Sequence, residues 1–389
     1  MLIFTLPGWY KSERYPENCL FIYEQMQAIK EKGHSVVVLS VQPIPIQQGK
    51  KPDHRIKKII DNGIVTYYTE IMSVWPTKFK SIYVNSFSKA LGRLINRAIN
   101  EFGVPDLYYA HFSFAAGFAA VKLKGNVPLV TQEHFSLLMN ENIDKKMKHY
   151  IKETVRNSDA FICVSQGLLE SIEKFVDVDS YNVKVVTNMI DPCFKYYPLK
   201  QTDKFVFFSM GGLIKRKGFD LLIKAFSEEF KDDEKVILRI AGQGEEKKNL
   251  EECIHNLGID KRIELIGQIG RERTLEEYTK CNAFVLASRA ETYGLVYREA
   301  MAVGRPIIST RHGGIRTVPD YAGHLIDVDD FCQLKRALRE IYTNYDKYDG
   351  KLISEKCLQE CSSDSVVEKI ISVFDEVTCK ANIPSDKLE

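Results

Sequence analysis

No apolar run in the 389-residue chain approaches the ~18 residues that a membrane-spanning helix needs. The opening stretch from Met1 to Pro7 also lacks the basic start and the length of a signal peptide, so the sequence reads as soluble and unprocessed. Paired cysteines are missing as well: nine are scattered from Cys19 to Cys379 without a CxxC, which suits a reducing cytosol. Cys357 and Cys361 stand at helical i, i+4 spacing, but with no second pair and no histidine beside them they read as structural thiols, and no metal site is expected. With 23 glycines and 13 prolines the chain is too poor in both for a low-complexity or collagen-like protein, and no repeat of 20 to 50 residues is visible. A net charge of only +2 argues against a dedicated nucleic-acid binder.

What is present is an ordinary globular composition, 44% hydrophobic and 27% charged, in a chain too long for one core, since single cores stop growing near ~250 to 300 residues. Short β-rich apolar runs alternate with helical patterns throughout, the signature of parallel α/β layers. The first series is read at Leu2 to Leu6, Ser35 to Val41, Val65 to Glu70, Leu107 to His111, Leu129 to Gln132, Ala160 to Val164 and Val183 to Val186. The second starts near Phe205 and continues at Val236 to Ala241, Ile263 to Ile266, Ala283 to Ala287, Pro306 to Ser309 and Leu325 to Val328. Between them, Asp191 to Asp203 has two prolines and no helical periodicity and reads as a linker. The expected architecture is two doubly wound domains, residues 1–190 and 191–389, with a helix at about residues 365–380 available to pack back on the first. Ligands of such folds sit at the carboxyl ends of the strands, and a cleft between the two domains is the expected site.

Two stretches carry chemistry. Ala290 to Ile315 reads AETYGLVYREAMAVGRPIISTRHGGI, with Glu291 ahead of a helix starting near Gly294 and Glu299 inside it. Eight residues at 1.5 Å rise put the carboxylates roughly 12 Å apart, too far to share a proton but suited to gripping two ends of an extended ligand through its hydroxyls. The unsatisfied N–H groups of Thr292, Tyr293, Gly294 and Leu295 at the helix start form an anion site between them. The second stretch, Gly211 to Asp220, places Lys215, Arg216 and Lys217 in a loop after an apolar run, preceded by Gly211 and Gly212 and closed by Gly218; such a loop neutralises phosphate. Alone, it is equally a solvated basic turn. Gly242 and Gly244 form a GxG without a third glycine, and the first loop, Thr5 to Tyr10, has Gly8 alone, so a dinucleotide fingerprint is not supported.

Together these stretches resemble family 4 of the retaining glycosyltransferases, which have the two-Rossmann GT-B fold. The E-x7-E segment followed by EAMA looks like that family's donor motif, and Lys217 with Gly218 looks like its phosphate loop. Glu24 and Gln25 followed by KGHSVVVLS, the TQEH ending at His134, Val164 with Ser165, and Asn188 to Asp191 match other parts of the pattern. The resemblance implies an α/β fold of two Rossmann-like domains facing a central cleft. It assigns Glu299 to the ribose hydroxyls of a nucleotide sugar, Glu291 to the sugar hydroxyls beside the anomeric carbon, Arg216 and Lys217 to the diphosphate, and the Gly313, Gly314 turn to the donor's surroundings. His134 would face the transferred sugar, and Gly8 and His111 would lie on the acceptor side. The implied activity is metal-independent, retaining transfer of a hexosyl unit from a UDP-sugar, or a GDP-sugar, to a saccharide or lipid-linked saccharide in surface-polysaccharide synthesis, with no cofactor. Departures exist: Gly212 stands where many relatives have arginine, Met189 where they have glycine, and Cys19 where many have glycine. An epimerase of the same fold and a non-catalytic nucleotide-sugar binding module remain alternatives.

The charge is uneven. Residues 1–200 hold 25 lysines and arginines against 19 acids, and residues 201–389 hold 29 against 33. Lys78 to Ile99 reads as an amphipathic helix with Phe79, Tyr83, Phe87, Leu91, Leu94 and Ala98 on one face and Lys80, Lys89, Arg93 and Arg97 elsewhere, and Lys145 to Lys152 forms a second basic run. A core-packed helix with a solvated basic face explains the pattern. So does loose docking of a cytoplasmic protein on the anionic inner face of a membrane.

Overall fold

The structure, a computed structural model, describes residues 1–12, 14–15, 18–73, 80–139, 143–200, 203–312 and 314–381. Its contacts divide the chain into two units, one formed by Met1–Met189 with the helix that begins at Ser363, the other by Ile190–Ser362. The second unit thus ends at Ser362 instead of running to residue 389.

The first unit is built on eight strands: β1 (Leu2–Pro7), β2 (Ser35–Pro45), β3 (Lys57–Asp61), β4 (Ile64–Ser73), β5 (Leu107–His111), β6 (Leu129–Glu133), β7 (Ala160–Cys163) and β8 (Val183–Val185). They lie in the order β3-β4-β2-β1-β5-β6-β7-β8, parallel except for β3. Helices α1 (Leu20–Glu31), α2 (Lys80–Phe102), α3 (Phe118–Leu123), α4 (Lys145–Asn157) and α5 (Gln166–Glu173) connect them. Every residue of β5, β6 and β7 is buried, as parallel strands covered on both faces require. The sequence reading omits β3, whose KKIID is short and half charged; that is how an edge strand is protected from pairing with a neighbour. Asn62 and Gly63, both at positive φ, make the two-residue hairpin that folds it onto β4.

Helix α2 spends its apolar face on the core. Tyr83, Val84, Phe87, Ala90, Leu91, Leu94, Ile95 and Ala98 are buried, and the helix packs against β2 and β4. Lys89, Arg93 and Arg97 remain exposed, Arg93 donating to the His54 carbonyl at 3.3 Å and Arg97 pairing with Glu101 at 3.2 Å. Lys78 and Phe79 lie outside the described residues. No described helix is long and apolar enough to cross a membrane.

The second unit carries six parallel strands, β9 (Phe205–Met210), β10 (Val236–Ala241), β11 (Ile263–Gly267), β12 (Ala283–Leu286), β13 (Ile307–Thr310) and β14 (Gly323–Ile326), in the order β11-β10-β9-β12-β13-β14. Helices α6 (Phe219–Glu229), α7 (Lys247–Asn256), α8 (Arg271–Lys280), α9 (Leu295–Val303), α10 (Phe331–Thr343) and α11 (Gly350–Cys361) surround them. The segment read as a linker packs onto this unit: the buried Phe194 ring meets Tyr278 edge-on at 5.8 Å, and Asp191 pairs with Arg271 at 2.6 Å. All nine cysteines are free, with the buried Cys357 and Cys361 sulfurs 3.4 Å apart on α11.

The last helix, α12 (Ser363–Ala381), packs against α1 and β6 of the first unit. Its buried Val366, Val367, Ile370, Val373, Phe374 and Val377 follow the helical period and join Ile22, Met26, Leu107 and Tyr109 in one core. The Phe374 ring stands edge-on to Tyr109 at 4.9 Å. Phe374→Ala should therefore cost about 3 to 5 kcal/mol of first-unit stability. Urea unfolding followed through the first unit's tryptophan fluorescence measures it, and a loss under 1 kcal/mol would show that α12 is not part of this core.

Candidate active site

In both sheets the chain travels outward on one side of the first strand and then crosses to the other side, so the order reverses between β1 and β5 and between β9 and β12. Loops leaving the two neighbouring strands diverge at such a point and leave a crevice at their carboxyl ends. Nearly all of the sequence-derived site residues stand at these ends.

In the second unit the basic residues follow β9 as a 3₁₀ turn, Lys215–Lys217, and Glu291 follows β12. Glycines make the approach possible. Gly218 has φ +67 and a Cβ there would overlap the Ala287 carbonyl; Cβ atoms at Gly242 and Gly244 would overlap the carbonyls of Gly211 and Leu213. The GxG pair thus lets the loop after β10 support the loop after β9, with Leu213 N–H donating to Gln243 O at 3.0 Å and Glu246 N–H to Leu213 O at 2.9 Å. Arg289, which the sequence reading passed over, braces the basic turn from the other side. Its N–H donates to Arg216 O at 2.7 Å, and its guanidinium grips both oxygens of Asp220 at 3.1 Å.

The result is an ion pair across the crevice. Lys217 Nζ donates to Glu291 Oε1, which also accepts from Ser288 Oγ at 3.0 Å, and the two side chains are only 14% and 12% exposed. Among the described residues no hydrogen bond or ion pair engages the Arg216 guanidinium. Gly294, at φ +77, caps α9, and Thr292 and Tyr293 lead into it with buried side chains. Gly314 presses on this segment so closely that a Cβ there would lie 2.8 Å from Tyr293 N and 2.9 Å from Glu291 O. Gly313 lies outside the described residues. Glu299, on α9 with Leu295, is held apart from the ion pair by a different partner: it accepts from the buried Tyr278 hydroxyl at 3.2 Å, which also donates to Val296 O at 2.8 Å. Gly212 has room, the nearest atom to a Cβ there being 4.0 Å away.

In the first unit Gly8 N–H donates to His111 O at 3.2 Å, joining the ends of β1 and β5. His111 Nδ1 and His134 Nε2 stand 3.1 Å apart at the ends of β5 and β6, so one imidazole donates and the other accepts. Burial keeps both neutral, depressing His111 well below the usual histidine range and His134 to about 3. These are hydrogen-bonding groups and not proton acceptors near pH 7. Glu133, missed between the two histidines of interest, is fully buried; it accepts from Ser113 N–H, His134 N–H and Phe135 N–H at 2.8 Å each and from the Ser113 hydroxyl. It anchors the turn in which Phe112 and Ala115 adopt positive φ. The TQEH string contained Glu133, but nothing in its spacing distinguished a buried anchor from a surface acid.

The sign of the pH dependence follows from the depressed histidines. A group whose folded value lies below its unfolded value of ~6.5 leaves the unfolded chain holding more protons in acid, so its stabilising effect is present above pH ~6.5 and declines as the pH falls toward 3. For His134 the loss at pH 5 should reach about 2 kcal/mol. Urea unfolding at pH 7.5 and pH 5 should show a smaller acid loss in His134→Asn than in the parent chain, and equal losses would remove His134 from this account.

Comparison with known proteins bears on both units. Residues 197–355 match the family model described as glycosyl transferases group 1, and residues 20–193 match that of glycosyltransferase family 4. An uncharacterized glycosyltransferase of Methanocaldococcus jannaschii is 26% identical over 251 residues, 61% of this chain and 66% of the relative. The first curated relatives are matched over two thirds of their own length or less. Among solved structures, sucrose-phosphate synthase of Thermosynechococcus elongatus superposes with a TM-score of 0.79 at 16% identity, covering 98% of this chain and 100% of that one. Anabaena HepE, solved in complex with UDP, gives 0.73 at 16% identity over 97% and 100%. With both halves matched by the two models and both Rossmann-like units in place, the chain belongs to family 4 of the glycosyltransferases, with the GT-B fold.

Proposed function

We propose that the protein is a retaining glycosyltransferase that moves a hexosyl unit from a nucleoside-diphosphate sugar, a UDP-sugar before a GDP-sugar, to a saccharide or lipid-linked saccharide of a surface polysaccharide. One observation carries the reading: a lysine and a glutamate from loops 74 residues apart in sequence are held together beside the amino end of α9, where anions bind. The UDP bound to Anabaena HepE supports a nucleoside diphosphate as the ligand.

Cleaving such a donor leaves growing negative charge on the diphosphate while the anomeric carbon acquires oxocarbenium character. Preorganised cations aimed at the departing phosphate are the largest lever available. Lys217, Arg216 and the N–H groups of Thr292 to Leu295 supply that lever, Glu291 takes the sugar hydroxyls and Glu299 the ribose. Lys217 and Glu291 satisfy each other; a diphosphate competes for the lysine and turns the carboxylate toward the sugar. The neutral His134 orients the sugar as a hydrogen-bonding group, and Gly8 and His111 border the acceptor. Because these assignments give no carboxylate the nucleophile's part, retention would follow a front-face route, and no step calls for a metal. The binding-module reading draws on Gly212 in place of the relatives' arginine, and the epimerase reading uses the same donor crevice.

A thermal-shift panel of UDP- and GDP-sugars identifies the donor, and NMR of the product with and without a saccharide acceptor distinguishes transfer from epimerisation. Transfer with inverted configuration, or sugar interconversion without transfer, would overturn the reading. Lys217→Ala should lower kcat by roughly 10² to 10³, the usual effect of losing one preorganised charge at a developing anion; a variant with parental kcat would remove Lys217 from the mechanism. Turnover should persist in EDTA. Complete loss on chelation, restored by magnesium or manganese, would show that metal does carry the diphosphate.

A further inference from the structure

The turn after β13 contains a group that neither the motifs nor the mechanism uses. His312 and Ile315 close that turn by exchanging two backbone hydrogen bonds of 3.2 Å. Inside it, His312 Nδ1 accepts from two backbone donors at once, Gly314 N–H and Ile315 N–H, each at 3.2 Å. A ring nitrogen that accepts two hydrogen bonds carries no proton, so the neutral imidazole holds its hydrogen on Nε2. The ring is neutral, because burial pushes its pKa down to about 4. The tautomer and the charge are therefore both set by the fold.

The Nε2–H so defined is buried, His312 being 8% exposed, and has no partner among the described residues. Leaving a buried donor unmet is destabilising, a penalty that a ligand oxygen would relieve. The surroundings indicate which oxygen. Gly314 is pressed against the Glu291–Tyr293 backbone, and the imidazole sits 5.8 Å from the Tyr297 ring. The Glu291 carboxylate and the Lys217 ammonium both act on the ring, which therefore lies near the ion pair.

We infer that His312 is a specificity-determining contact of the donor site, its Nε2–H donating to an oxygen of the transferred sugar beside Glu291. The assignment rests on the nucleotide-sugar reading above. A donor with no acceptor capacity discriminates by requiring an oxygen opposite it, since a sugar lacking that oxygen would leave the N–H buried and unmet.

Two substitutions separate the ligand role from the turn's own needs. His312→Asn places an amide oxygen near the Nδ1 position and keeps the acceptor for the turn while deleting the distal donor. His312→Gln carries an amide N–H to about the Nε2 position and gives up the acceptor. Calorimetric titration at pH 7.5 uses the sugar nucleotide that most stabilises the parent chain, from UDP-glucose, UDP-galactose, UDP-N-acetylglucosamine and GDP-mannose, together with its free nucleoside diphosphate. His312→Asn should keep the parental Tm and bind the sugar nucleotide about tenfold more weakly, with the free diphosphate's Kd within twofold. His312→Gln should lose Tm yet keep sugar-nucleotide affinity. Parental affinity in His312→Asn, or equal weakening toward both ligands, would overturn the sugar contact. A panel in which no sugar nucleotide stabilises the parent chain would overturn the donor reading first, and this assignment with it.

Discussion

Parallel strands deliver all their carboxyl ends to one edge of a sheet, and a chain that reverses its path through the sheet sends two neighbouring loops apart at that edge. The Lys217–Glu291 pair exists because the loops after β9 and β12 then return within contact of each other. That return is a matter of backbone clearance. At Gly218, Gly242 and Gly244 any side chain would overlap a neighbouring carbonyl, and Gly218 also needs a left-handed conformation. Once the three loops are locked, Lys217 has little choice but to face Glu291, and Arg289 fixes the basic turn by bonding its backbone carbonyl.

The two units treat their polar site groups in opposite ways. The second keeps its charges and pairs them, Lys217 with Glu291 and Arg289 with Asp220. The first buries His111 and His134 deeply enough to discharge them and surrounds the buried Glu133 carboxylate with four donors. Each arrangement meets the same requirement, that a group removed from water be neutral, paired or hydrogen-bonded. Some ring nitrogens fall outside that rule: His312 Nε2, His111 Nε2 and His134 Nδ1 are buried without a hydrogen-bond partner among the described residues.

Most of the parallel strands were legible because they are short apolar runs, several of them buried on both faces, and composition alone marks such runs. The edge strand β3 was not: two lysines and an aspartate in five residues carry no such mark, although the Asn62-Gly63 pair announced its hairpin. The amphipathic period of α2 was equally plain, but periodicity says only that one face is apolar. Whether the sheet or a lipid surface covers that face is a tertiary fact, and here β2 and β4 cover it. The same holds for Asp191 to Lys200, which lacks periodicity because it is irregular, yet is anchored by Phe194 and Asp191.

By itself, the sequence determined the two α/β series, the basic turn at Lys215–Lys217, the E-x7-E spacing and the glycines that flank them, because these are local properties of composition, spacing and backbone freedom. Only the tertiary structure decided that α12 joins the first unit, that Lys217 reaches Glu291, that Glu133 anchors a strained turn, and that His312 carries its proton on Nε2. Each of those outcomes depends on which groups from distant segments are brought within 3 or 4 Å of one another and cut off from water. A charge or an imidazole in the sequence has no partner, no dielectric and no tautomer until the fold supplies its neighbours.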